Sequence, residues 1–171
     1  MKRKLLIGIV SVMVLAFGVG TASAKADLSG VWTLDVDKSE GMPPGLIQIM
    51  TVTQKGDHLE IETRSKVGES GPERVGKDAY VLDGKENDFT TPLPPGAAAQ
   101  KKSKRSSKWI DDVNGFDVSE ESVVNAPDGS EATIRTKRRW RLSADGKTLT
   151  VEMETDSPRG MSKSRRVFVK K

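Results

Sequence analysis

The chain has 171 residues, no cysteine and a single histidine, which excludes a disulfide framework and the usual structural zinc sets. Its first 24 residues carry three of the 28 basic side chains and none of the 24 acidic ones. The remaining 147 residues therefore hold 25 bases against 24 acids, a balance that removes the composition-level case for nucleic-acid binding. A chain of that length suits one domain with a real core.

The first element in chain order is a targeting segment. Lys2, Arg3 and Lys4 precede an apolar run from Leu5 to Val19, and Ala22-Ser23-Ala24 follows as a small-residue cleavage pattern. The apolar run is short for a membrane span, so the expectation is a signal peptide over residues 1–24, cleaved near Ala24. Residues 25–171 then form the mature domain, exported to the periplasm or secreted. No cysteine stands at the junction to take a lipid anchor.

From Asp27 onward apolar and polar residues alternate between turn signals, and no long helical period is evident. The alternation predicts strands over Leu28–Val36, Leu46–Thr53, His58–Val67, Ala79–Leu82, Ser103–Asp111, Phe116–Asn125, Glu131–Leu142, Thr148–Thr155 and Met161–Val169. Short turns at Lys55-Gly56-Asp57, Asn114-Gly115, Pro127-Asp128-Gly129, Asp145-Gly146 and Ser157–Gly160 link them as hairpins in series, an up-and-down meander. Residues 84–102 hold Pro92, Pro94, Pro95 and Gly96 and read as a long loop or lid.

Turn length sets which side chains share a face. The Asp145-Gly146 turn places Leu142 opposite Leu149, Trp140 opposite Val151 and Arg138 opposite Met153. The next turn sets Leu149 against Phe168 and Val151 against Arg166. On the other face Arg139 meets Glu152 and Lys137 meets Glu154, so each acid lies between bases, as on a solvated sheet face. A three-residue turn at Pro127–Gly129 pairs Val118 with Arg138 and Phe116 with Trp140. At Asn114-Gly115, a two-residue turn would oppose Asp112 to Asp117. A three-residue turn instead pairs Ile110 with Val118 and Lys108 with Glu120, and leaves Trp109 facing outward or under a loop.

That register gathers Lys108, Glu120, Thr136, Arg138 and Arg166 on an inner face with Phe116, Val118, Trp140, Val151 and Met153. Buried charges need partners, water or a ligand. One reading pairs Glu120 with Lys108 or Arg138. The functional reading makes Arg138, Glu120, Lys108, Trp140, Phe116 and Met153 a ligand site, Arg138 receiving an acidic head and the aromatic wall an apolar tail. The basic run Lys101–Lys108 either keeps an edge strand soluble or, through Lys101, Lys102, Lys104 and Arg105, touches an anionic envelope surface. No catalytic set, metal set or cofactor loop is readable: one histidine, His58, stands beside a turn, and the glycines sit in turns.

The stretch "SGVW" (Ser29 to Trp32) resembles the G-x-W signature of lipocalins and their calycin relatives, and "SRRVFVK" resembles the last-strand segment that covers that Trp. "YVLDGKE" and "WRLSADGKTLTVEM" resemble small exported bacterial lipocalin-like proteins. The chain shows no match to the middle lipocalin motif and no helix after the last strand. The resemblance implies a single antiparallel β-barrel of about eight to ten strands. It also implies that Gly30, Trp32 and Arg166 close one end, with Arg166 stacked on Trp32. The expected function is non-enzymatic binding of a small apolar or amphipathic molecule, and the alternative is a filled barrel acting as a structural or interaction module. A lined cavity of about 300 Å³ or more favours the carrier.

Overall fold

A computed structural model describes residues 25–89, 100–110, 114–125 and 129–171, without the side chains of residues 100–102 and 125. The segment read as a signal peptide lies outside the described residues.

Ten strands form one antiparallel sheet: β1 (Gly30–Glu40), β2 (Leu46–Lys55), β3 (His58–Val67), β4 (Arg74–Val81), β5 (Asp83–Asp88), β6 (Gln100–Ile110), β7 (Gly115–Asn125), β8 (Glu131–Leu142), β9 (Thr148–Ser157) and β10 (Gly160–Lys170). Every strand pairs with its chain neighbour except β4 and β5, and β1 also pairs with β10. The sheet thus curls into an up-and-down near-barrel, as expected, with its break in the ladder between β4 and β5. Arg105 spans that seam, donating to the Ala79 carbonyl at 2.9 Å and to Asp78 Oδ1 at 2.7 Å.

The alternating pattern fills the interior. Trp32, Phe116, Phe168, Leu28, Leu59, Leu149 and Val118 are almost fully buried. Trp32 donates from Nε1 to the Leu28 carbonyl at 3.0 Å, which ties the entering chain under the barrel. Gln54 fixes the same segment, accepting from Leu28 N–H and donating to the Ala26 carbonyl.

The register of β7 to β10 follows the turn chemistry. Leu142 opposes Leu149, Trp140 opposes Val151, Arg138 opposes Met153, and Val151 opposes Arg166. Val124 opposes Ala132 and Phe116 opposes Trp140, although residues 126–128 of that turn lie outside the described residues.

Three expectations need correction. First, β6 and β7 meet through neither turn considered: Ile110 opposes Gly115, Trp109 opposes Phe116, and Lys108 opposes Asp117. Against the three-residue register the slip is three residues, so every side chain of β6 changes face. Lys108 turns to the solvent side, while Arg105, Ser107 and Trp109 turn inward. Burial of Trp109 against Phe116, with ring centroids 6.3 Å apart, decides the register. The indole also donates to Asp57 Oδ1 at 2.8 Å, so its polar end is satisfied.

Second, Arg166 does not cover Trp32. Trp32 opposes Lys170, whose Nζ stands 5.2 Å from the ring centroid, and Arg166 sits about 13 Å back along β10 at the strand rise. Gly30 belongs to this closure, because a Cβ there would meet Lys170 Cε at 2.7 Å. Third, the stretch read as a loop over residues 84–102 is partly strand: β5 and the start of β6 occupy its ends, and residues 90–99 lie outside the described residues. β6 is consequently paired on both sides and is not a sheet edge.

Gly115 has a packing requirement. A Cβ at this position would stand 1.8 Å from the Trp140 carbonyl oxygen, so β7 and β8 approach too closely for any side chain. Gly115→Ala should cost about 1–3 kcal/mol, read as a lower urea midpoint at unchanged m-value.

Candidate functional site

The inner faces of β2, β3 and β4 confront those of β8, β9 and β10 across a cavity of about 220 Å³. Its apolar lining comes from Met50, Ile61, Val151, Met153 and Phe168, with one face of Trp140. Its polar lining includes Asp78, Tyr80, Ser164, Arg138 and Arg166. Ile61 and Asp78 also border a hollow of about 650 Å³ lined mainly by β2, β3 and β4, with Phe89 and Arg105 from across the seam. Both are partly open to solvent; the one with an inward-facing lining is the smaller, short of the roughly 300 Å³ benchmark.

Pairing places the two cavity arginines. Arg138 on β8 opposes Met153 on β9, which opposes Ser164 on β10; one row along, Trp140 opposes Val151, which opposes Arg166. Arg138 and Arg166 therefore flank an apolar floor made by the two β9 side chains.

Their partners differ. Glu120 Oε1 accepts from Arg138 Nη1 and from Arg105 Nη2, each at 2.6 Å. Arg105 also reaches Asp78, whose other oxygen accepts from the Tyr80 hydroxyl at 2.9 Å. The Arg105 guanidinium lies 4.6 Å from the Tyr80 ring centroid and 4.1 Å from that of Phe89. Arg166 has no acidic partner among the described residues.

Titration follows the same division. Burial pulls Arg138 down, but attraction to the Tyr80 oxygen and to Glu120 outweighs it and leaves Arg138 above its ordinary value. Burial also pushes the Tyr80 hydroxyl far up, so Tyr80 stays protonated at neutral pH and Glu120 is the acting partner there. For Arg166, burial and the like charge of Arg138 both push downward.

The sequence-derived site residues separate into three groups. Arg138, Trp140 and Met153 line the cavity. Glu120 stands behind Arg138, and Phe116 is stacked behind Trp140 with centroids 5.2 Å apart and planes at 12°. Lys108 lies on the outer face opposite Asp117, outside any interior site. Arg166, assigned by resemblance to barrel closure, lines the cavity instead.

The basic run also changes meaning. Arg105 is buried in the interior network, and Lys104 pairs with Glu86 at 2.5 Å. The side chains of Lys101 and Lys102 lie outside the described residues. Arg105 therefore leaves the surface patch, because the β6 register turns it inward. Sequence reasoning missed Arg105, Asp78 and Tyr80 as interior groups. The one available signal was Trp109, whose burial fixes the parity of Arg105 four residues earlier.

Among the described residues no cluster of His, Asp or Glu could hold a metal ion. No protein-family profile matches the chain, and no curated protein matches it. Among solved structures, the chain is similar to a crystal structure of zebrafish ileal bile acid-binding protein complexed with cholic acid. The two share 16% sequence identity, the match covers 84% of this chain and 98% of that chain, and the TM-score is 0.48.

Proposed function

We propose that the protein is a lipocalin-like carrier of a small amphipathic anion. The charged head sits between Arg166 and Arg138, and the apolar body lies over Val151 and Met153. One observation carries this reading: among the described residues three guanidiniums, Arg105, Arg138 and Arg166, share two carboxylates, Asp78 and Glu120, and Arg166 is left over. A partly buried cation without a partner is costly, and an anion held by charge-assisted hydrogen bonds removes that cost. A filled structural barrel would gain from an aliphatic side chain at this position.

The cavity limits the ligand. At about 220 Å³ it falls below the roughly 300 Å³ that would favour a carrier, so volume alone favours the filled barrel and the carrier reading rests on the charge balance. The ligand must be small, a medium-chain carboxylate being the fitting class. The basic start, apolar run and Ala22-Ser23-Ala24 support placing this carrier outside the cytoplasm, in the periplasm or secreted, with Lys25 first in the mature chain. Intact mass of the natural protein reads that terminus.

Titration calorimetry with octanoate and octanamide tests the binding. Octanoate should bind at least about tenfold tighter than its neutral amide. Equal affinities, or no binding of any carboxylate from hexanoate to decanoate, would contradict the proposal. Glu120→Gln should release Arg138 toward the cavity and tighten octanoate binding by about three- to tenfold, while lowering the melting temperature.

A further inference from the structure

Outside the Arg138 row the cavity wall carries donors that a carboxylate leaves idle. Glu120, Thr136, Thr155 and Ser162 lie side by side on β7, β8, β9 and β10. Each stands two residues, about 7 Å, along its strand from Val118, Arg138, Met153 and Ser164, and so shares their inward parity. Thr136 and Thr155 are half-buried and Ser162 is exposed, whereas Trp140 and Val151, on the other side of the Arg138 row, are buried. The row is therefore the rim of the cavity, on the solvent side of the anion head. Thr136 and Thr155 bring their Oγ1 atoms to 3.4 Å, and a hydroxyl pair that shares one proton still has a second to donate.

Gln48 adds a donor on the facing wall. It is 6% exposed and lines the cavity with Met50. Its amide makes no hydrogen bond among the described residues, yet it is not sealed from solvent, so it opens on the cavity. The Arg166 guanidinium is open in the same way.

Charge sets the other limit. Arg105, Arg138 and Arg166 against Asp78 and Glu120 leave one positive charge in excess among these groups, and Glu120 itself stands in the rim row. A monoanion cancels the excess, while a dianion overshoots it and meets Glu120 with like charge. A carboxylate offers two oxygens in one plane, which the guanidiniums take. It has no third oxygen for the rim or for Gln48.

We propose that the head of the ligand is a sulfonate, a tetrahedral monoanion. Two of its oxygens meet Arg166 and Arg138, and the third accepts from the Thr136–Thr155 pair, with the Gln48 amide donating from the facing wall. This rests on the carrier reading above and names its head group; the apolar chain keeps the same medium length, and octanoate is a minimal analogue. A site built to hydrogen-bond a ligand oxygen rejects the analogue that lacks it.

Calorimetric titration with octanoate, octanesulfonate and octyl phosphate provides the test. Octanesulfonate should bind about tenfold or more tighter than octanoate. Octyl phosphate, doubly charged at about pH 8, should bind more weakly than octanesulfonate. The double substitution Thr136→Val and Thr155→Val keeps β-branched side chains and removes both hydroxyls; the ratio of sulfonate to octanoate affinity should fall to about twofold or less. Thr150→Val on the outer face, between Arg141 and Val167, should leave that ratio unchanged. If octanoate binds and octanesulfonate binds no tighter, if octyl phosphate binds tightest, or if the preference survives the double substitution, the sulfonate head is wrong and the anion carrier stands. If none of the three binds, the carrier reading itself fails and takes this proposal with it. Thermal unfolding of the double variant, compared with the natural protein, checks that it folds; if it does not, the ranking of the three ligands on the natural protein decides.

Discussion

Arg105→Met should lower stability by about 3 kcal/mol, a fall in melting temperature of about 6–12 °C for a domain of this size. Arg105 is buried and spans the break in the ladder between the described strands β4 and β5, joining Asp78 and the Ala79 carbonyl on β4 to Glu120 on β7. Methionine replaces the volume of the stem but leaves buried Glu120 with one donor fewer, while the partly exposed Asp78 can turn to water. Glu120 keeps Arg138 and Asp78 keeps Tyr80, which places the loss at the low end of the range for broken buried pairs. The loss should be local first: hydrogen exchange of β4 amides should quicken before those of β8 and β9. Lys104→Met, one residue away on the outer face, removes only an exposed pair with Glu86 and should change stability by about 0.5 kcal/mol or less. Equal effects from the two substitutions would show that Arg105 does not hold the seam.

Arg166→Gln should move binding and stability in opposite directions. Octanoate affinity should drop by about a hundredfold, because a charge-assisted bond to the carboxylate is lost from a partly enclosed cavity. The unliganded protein should become slightly more stable, by about 0.5 kcal/mol at most or a rise of about 1–2 °C, because solvent screens the charge of the partly exposed Arg166. The reason is the same in both cases. Burial and the neighbouring Arg138 already disfavour the Arg166 charge, and no carboxylate among the described residues compensates it. A residue retained at a cost to stability is placed for something other than the fold. If Arg166→Gln destabilises the unliganded protein instead, Arg166 is structural and the charge argument fails.

The parts of this architecture that could be read from the sequence are those where turn chemistry and alternation agree. Asp145-Gly146 and Ser157–Gly160 sit between strands with clear apolar parity, so Trp140, Val151 and Arg166 fall into one row without any knowledge of the fold. β6 offered no such parity: before Trp109 its inward positions are Ser103, Arg105 and Ser107, and a stretch without apolar residues gives alternation nothing to report. Only Trp109 marks its buried face. β5 reads DGKEND, with glycine, asparagine and aspartate, all poor strand formers and all six residues exposed. It is strand because β6 presents a free ladder edge to pair with, a tertiary effect that local preference cannot show. The closure of Trp32 shows a different limit. A cation over the ring was legible, but its identity depends on how β1 and β10, far apart in sequence, meet, and that pairing selects Lys170. Arg166 is freed by the same pairing for the cavity. The cavity itself has no signature in the sequence, because its volume depends on how far two curved walls stand apart.

The most direct measurement is a crystal structure of the protein with a terminally brominated octanoate, the bromine located by anomalous scattering. The expected result is one molecule in the interior, its carboxylate within hydrogen-bond distance of Arg166 and Arg138 and its bromine against Met50 or Ile61. Bromine found only on the outer face or in the larger hollow, with the cavity between Arg138 and Arg166 free of ligand, would contradict it.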